Sequence, residues 1–216
     1  MNSKIFAQHR GDTPVPSSAE KVRPDHALFG LTLSVADLAA SPALALLKER
    51  VRRLQTDIPA AAPGSSVDVQ DFDAPSIPAL LSKSTEETAA RLSLTVTVPL
   101  DTAAPFFARA ERVAAVDDVL RQLVIEGRKS KPNFNVSRQL PTFLVNDDAV
   151  DAGRVRLLAR WQSRLQELTA FASVSVDGVW STAEVTQRSV SIEEVELRCE
   201  LGGVATLRLP RQRLAT

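Results

Sequence analysis

Residues 91–100, R-L-S-L-T-V-T-V-P-L, decide how the chain is read. Leu92, Leu94, Val96 and Val98 alternate with Ser93, Thr95 and Thr97, the period-two pattern of a strand with one apolar and one polar face. β-Branched residues suit such a pleated surface, and Pro99 closes the run because it has no amide proton to give to a ladder. Helical spacing follows at once. Phe106, Ala110, Val113, Leu120, Leu123 and Val124 carry an apolar stripe from a cap at Asp101 or Thr102 to a stop at Gly127.

The chain before this strand repeats the alternation of strand and helix. Ala27–Val35 reads as a first strand, and Ser41-Pro42 as a helix start, with Ser as N-cap and Pro at the first helical position. Leu44, Leu47, Val51 and Leu54 then form one apolar stripe, while Lys48, Arg50, Arg52 and Arg53 read as a solvated face rather than a grip on phosphate. Residues 59–66 are an Ala/Pro/Gly/Ser loop, and Val67–Phe72 is a short strand.

Beyond Gly127 comes a small basic turn, then a strand over Val136–Val145 that Pro141 interrupts. Asn146-Asp147-Asp148 is turn or cap chemistry; with Asp151 it forms an acidic trio, but it lacks the Gly and bidentate Glu of a calcium loop. A second long helix is expected over Ala152–Ala172, with Val155, Leu158, Leu165, Leu168 and Ala172 on one side, arginines on the others, and Trp161 in a packing role. Val195–Leu201 and Val204–Leu209 are expected to pair as a hairpin about Gly202-Gly203, since two glycines accept the positive φ of a type I′ turn. The expected fold is therefore α/β in the wider, α+β sense: strand–helix–strand units around a mixed sheet, with a C-terminal β-hairpin and an extended N-terminal arm.

That arm is residues 1–25, a polar stretch with Pro14, Pro16 and Pro24 that cannot bury enough surface to order itself. Residues 26–216 form the α/β domain, with any subdivision falling near 127–135. Within the arm, Ile5 and Phe6 are the only adjacent large apolar pair near the terminus and are the expected assembly contact.

Composition narrows the function classes. Twenty-six basic residues balance 26 acidic ones, so no global field points to nucleic acid. One cysteine forbids an internal disulfide, and with two histidines it leaves no zinc cluster; Cys199 falls on the apolar phase Val195, Leu197, Cys199, Leu201 and reads as a small buried hydrophobe. Residues 1–23 hold no signal-peptide core, and no run approaches the roughly 18 apolar residues of a membrane span. Cytoplasmic residence is the expectation. Neither phosphate-binding glycine motif occurs, nor does the nucleophile elbow, and His9 is in the polar arm with His26 just beyond it. The expectation is a non-enzymatic structural subunit of a protein assembly, with no cofactor, no metal, no nucleic acid and no membrane insertion, whose partners are other protein subunits.

Two families share features with the chain. Phe29–Pro42, centred on Val35-Ala36-Asp37-Leu38, resembles the apolar strand and Ala-Asp-Leu-Ser segment of the small sheath subunit of bacterial type VI secretion systems. Val67-Asp68-Val69-Gln70-Asp71-Phe72-Asp73 resembles that family's Ile-Asp-x-Asp-Asn-Phe-Asp motif, departing from it at Gln70 and Asp71. Leu92–Val98 and the Phe-containing helix after it resemble its later strand and helix, so the likeness covers about residues 20–126. It implies a contractile tube built with a larger subunit whose strands interlock between neighbours. The order of elements is also similar to that of the SIMPL-domain family, oligomeric proteins with two strand–helix–strand units, a further helix and terminal strands. A virion structural protein is a further alternative.

Overall fold

The strand that carries residues 91–99 is one of two inner strands of a sheet. A computed structural model describes residues 18–35, 40–73, 90–129, 134–169, 173–177, 184–200 and 204–208. Among these residues the elements run β1 (Ser18–Val22), β2 (His26–Val35), α1 (Ala40–Ala61), β3 (Ser66–Asp73), β4 (Ala90–Pro99), α2 (Phe106–Lys129), β5 (Phe134–Arg138), β6 (Thr142–Leu144), α3 (Asp147–Thr169), β7 (Ser173–Asp177), β8 (Glu184–Ser191), β9 (Glu194–Glu200) and β10 (Val204–Arg208). The fold class is α+β. The chain divides into two compact units, one of residues 21–150 and 187–196, the other of residues 1–20, 151–186 and 197–216.

The larger unit is built on a sheet of order β3-β4-β2-β5, with β6 also paired to β2. Its sequence β2-α1-β3-β4-α2-β5 is the β-α-β-β-α-β arrangement of ferredoxin-like folds, with β4 between the two strands that α1 connects. The sequence leads to a mixed sheet, whereas every pairing described in this one is antiparallel. Phe29 pairs with Val96 and Leu31 with Leu94, so the apolar phases of the two inner strands share one face. Leu94 and Val96 are buried, as the alternation requires.

Both helices of this unit contribute to the core on that face. From α1 come Ala43, Leu47, Val51, Leu54 and Ile58, with Ala62 just past its end, and from α2 come Val116, Leu120 and Leu123. Each large aliphatic so buried contributes about 1.5–3 kcal/mol relative to exposure. The stripe on α1 differs from expectation at its start, where Ala43 is buried and Leu44 is 48% exposed. It also continues through Pro59, expected in a loop, to Ala61. Ile58 and Ala62 are almost wholly buried on either side of this proline, and their burial offsets the hydrogen bond it removes. Gly64, at φ 85°, then reverses the chain into β3.

Gly127 does not stop α2, which continues to Lys129. It instead packs closely against β5: a Cβ built there would lie 2.8 Å from the Phe134 carbonyl oxygen. Asp101 is not the helix cap either. Its Oδ1 accepts from Ala103 N at 2.8 Å in a turn, and α2 begins at Phe106, which is itself 46% exposed. The strand expected over Val136–Val145 is two strands, β5 and β6, both paired to β2 and separated at Pro141.

Helix α3 begins earlier than expected because Asn146 caps it, its Oδ1 accepting from Ala149 N at 2.8 Å. Asp147 and Asp148 occupy its first turn, where their charge complements the helix dipole. Its buried positions are Val150, Gly153 and Leu157, and Val155 is 67% exposed, so the expected stripe is out of phase; the side chains of Leu165 and Leu168, and Ala172 itself, lie outside the described residues.

Residues 18–22 of the expected arm are a strand. β1, β9 and β8 form a sheet in that order, and β8 and β9 are the C-terminal hairpin, joined at Ile192-Glu193. The pairing expected of β9 with β10 is not the one observed: β10 runs antiparallel to β7, with Val204 opposite Asp177 and Arg208 opposite Ser173. Gly202-Gly203 lies outside the described residues. In the smaller unit Glu20 accepts from Arg156 Nε at 2.5 Å, and Arg160 approaches its other oxygen at 3.7 Å. Among the described residues no helix is long and apolar enough to cross a membrane.

Candidate functional site

Two edges of the five-stranded sheet are treated differently. On the side of β5 and β6, the backbone of β6 and the residue after it is met by side chains of β8. Ser189 Oγ accepts from Phe143 N at 2.9 Å, Gln187 Oε1 accepts from Val145 N at 2.9 Å, and Gln187 Nε2 donates to Val145 O at 3.0 Å. A glutamine thus stands where a further strand would be.

The opposite edge is β3, and among the described residues it pairs only with β4. Val67, Val69 and Phe72 stand opposite Val96, Leu94 and Leu92, which places them on the helix-covered face. Val67 is buried there, but Val69 is 52% and Phe72 40% exposed. Asp68, Asp71 and Asp73 stand opposite Thr95, Ser93 and Arg91 on the other face. An irregularity between Val69 and Asp71 takes up Gln70, a bulge that keeps both alternations in phase along the strand. Among the described residues the edge therefore presents unpaired strand backbone, an apolar side and an acidic side. Strand addition is the chemistry such an edge supports.

A charge cluster is built around one buried arginine of α2. Arg109 is 1% exposed, on the α2 phase of Val116, Leu120 and Leu123. Its Nη2 donates to Pro24 O at 2.7 Å, and its Nη1 lies 3.5 Å from Glu193 Oε1. Arg23 donates to Glu193 Oε2 from Nε at 2.9 Å and Nη2 at 2.5 Å, and to Thr102 O at 2.6 Å. Burial pushes the Arg109 guanidinium pKa down, while the Glu193 carboxylate draws it back up. This cluster ties the hairpin turn to the start of β2 and to α2. Its role is to hold the unit together.

The remaining charged candidates are structural. Arg53 donates to Glu126 of α2 and to Asp57, and Arg50 Nη1 lies 3.8 Å from Glu126, so these two members of the basic run brace α1 against α2. Beside them a cleft of about 330 Å³ opens between the helices, lined by Leu54, Val119 and Leu123 beneath Arg53, Asp118 and Glu126. Cys199 is buried on β9, and burial raises its thiol pKa, against the pull of Arg154. Asp151 pairs with Arg154 at 3.0 Å. Among the described residues no group of three or more His, Cys, Asp or Glu side chains is placed to hold a metal ion. Trp161 is half-buried beside Arg160 and Arg164. Ile5 and Phe6 lie outside the described residues.

The sequence predicts β3 but not its exposure, because a short alternation looks alike at an edge and in a sheet interior. Arg109 could have been found: it shares a helical phase with three core aliphatics, at spacings of seven, four and three. Comparison with protein-family models and with curated proteins finds no match.

Proposed function

We propose that the chain is a non-enzymatic structural subunit of a cytoplasmic protein assembly, joined to its neighbours through strand edges. The observation that carries this reading is the outer β3 edge, which no other described strand pairs, with Val69 and Phe72 half-exposed beside it. Sheets left open in this way pair with other chains unless they are covered. The resemblance to the small sheath subunit gives the reading a specific form, since the run that carries that family's motif, Val67–Asp73, is this edge strand. The order of elements, two strand–helix–strand units followed by α3 and terminal strands, supports the SIMPL-like alternative. Both are oligomeric. Ile5 and Phe6 are the proposed anchor of the N-terminal arm in the same assembly.

Sedimentation of the chain in an extract of cells that produce it naturally tests the reading. A particle several times heavier than 23.4 kDa is expected, and Val69→Ser/Phe72→Ser should move a large fraction of it to the monomer position. Sedimentation of the unaltered chain as a 23.4 kDa monomer would sink the proposal.

A further inference from the structure

The two sides of the β3 edge differ in chemistry, and the difference specifies what can be added to it. A strand laid along β3 places alternate side chains on opposite faces of the extended sheet. Those on the helix-covered face meet Val69 and Phe72, which gain by burial against apolar neighbours. Those on the other face meet Asp68, Asp71 and Asp73. Arg91 stands opposite Asp73 on β4, so the charge left without a cross-strand cation centres on Asp68 and Asp71, both exposed. Opposite charges directly across a ladder stabilise it and like charges destabilise it.

We infer that the outer edge of β3 binds, by strand addition, an extended segment of a partner protein in which basic residues alternate with apolar ones. This rests on the assembly reading and specifies the partner. The same charges act against a second copy using its own β3, since two acidic edges would then be brought side by side. Hydrogen bonds to the strand backbone supply affinity that any extended segment could share; the alternation supplies selectivity.

The test uses the full chain and two labelled eight-residue peptides, one alternating Lys or Arg with Val and the other carrying Glu at each basic position, with binding read by fluorescence anisotropy. The basic peptide should bind at least tenfold tighter and weaken as salt is raised. Asp68→Lys/Asp71→Lys should invert the preference, and Val69→Ser/Phe72→Ser should weaken both peptides while the far-ultraviolet circular dichroism is unchanged. Equal affinity for the two peptides would overturn the inference, and so would a preference that survives the charge reversal. A native particle that falls apart on Val69→Ser/Phe72→Ser while neither peptide binds would assign the edge to a second copy, which also overturns it. Each of these failures is compatible with a heavy native particle; only a monomer in the native extract removes the assembly reading as well.

Discussion

A guanidinium with 1% of its surface exposed cannot be solvated, so the protein must supply its partners. For Arg109 they are the Pro24 carbonyl and Glu193, and the latter is held in place by Arg23. Arg109→Ala removes the charge, leaves a cavity and strips Glu193 of one of two cations. The expected loss is at the lower end of the ~3–5 kcal/mol seen when one partner of a buried pair is deleted, because Glu193 keeps Arg23. Arg109→Met, which keeps most of the volume, should lose less. Urea midpoints measure both, and an Ala variant as stable as the parent would mean that the cluster carries no stability. Gly127 offers a test of opposing terms. Alanine gains roughly 1 kcal/mol over glycine in a helix interior. Here, however, the added Cβ would sit 2.8 Å from a backbone oxygen of Phe134, where only a backbone shift relieves it. Gly127→Ala is expected to be destabilising by about 1–3 kcal/mol, the usual range for overpacking. A stabilised variant would show that α2 is free to move away from β5.

At the scale of elements, α1 and α2 are joined by apolar burial and by the Arg53–Glu126 pair, whose nitrogens lie 2.6 and 3.1 Å from the carboxylate. The Arg53 guanidinium holds the Glu126 carboxyl below its ordinary value of 4.5, with partial burial opposing it. A carboxyl whose pKa is lower in the folded state contributes its stability above the unfolded value and loses it as pH falls through the folded one. Glu126→Gln should therefore cost about 0.3–1 kcal/mol at neutral pH, the range for a pair open to solvent, and progressively less below pH 4.5. Urea midpoints at several pH values measure it; a difference that does not shrink in acid would assign the effect to packing. Most elements were legible in the sequence, because burial on one face writes its period into the chain. Strand β4 was plain, with five consecutive alternations. What could not be read were the phases and partners set at long range. On α3 the arginines and Val155 look like an apolar stripe with decorations, yet Val150, Gly153 and Leu157 are the buried row. Pro59 reads as a helix end because the burial of Ile58 and Ala62 that outweighs it is tertiary. Val204–Arg208 has the pattern of a returning hairpin strand, and its actual partner, β7, lies more than 25 residues upstream in sequence. The candidate edge was visible as a strand and invisible as an edge.

At the scale of the whole molecule, the larger unit is discontinuous: its sheet and helices come from residues 21–150, but it also takes in residues 187–196. Those ten residues supply what the first segment lacks. Gln187 meets both backbone groups of Val145, Ser189 meets the Phe143 amide, and Glu193 pairs with Arg23 and Arg109. Stability of the first segment should therefore depend on side chains placed some forty to eighty residues or more along the chain. Gln187→Ala removes two partly buried hydrogen bonds and should cost about 1–3 kcal/mol, since each net bond is worth roughly 0.5–1.5 kcal/mol. Glu193→Gln leaves Arg109 buried against a neutral amide and should cost more. The two sites share no partner, so their effects should add within about 0.5 kcal/mol. Amide hydrogen exchange separates this from a general weakening. In Gln187→Ala the amide of Val145 loses its acceptor and should exchange faster than the global loss of stability predicts, while Phe143, still held by Ser189, should follow the global change. Equal acceleration at both amides would show that β8 protects this edge as a cover and not through Gln187. If neither amide responds, the hairpin is not part of the unit's stability, and residues 21–150 hold themselves together.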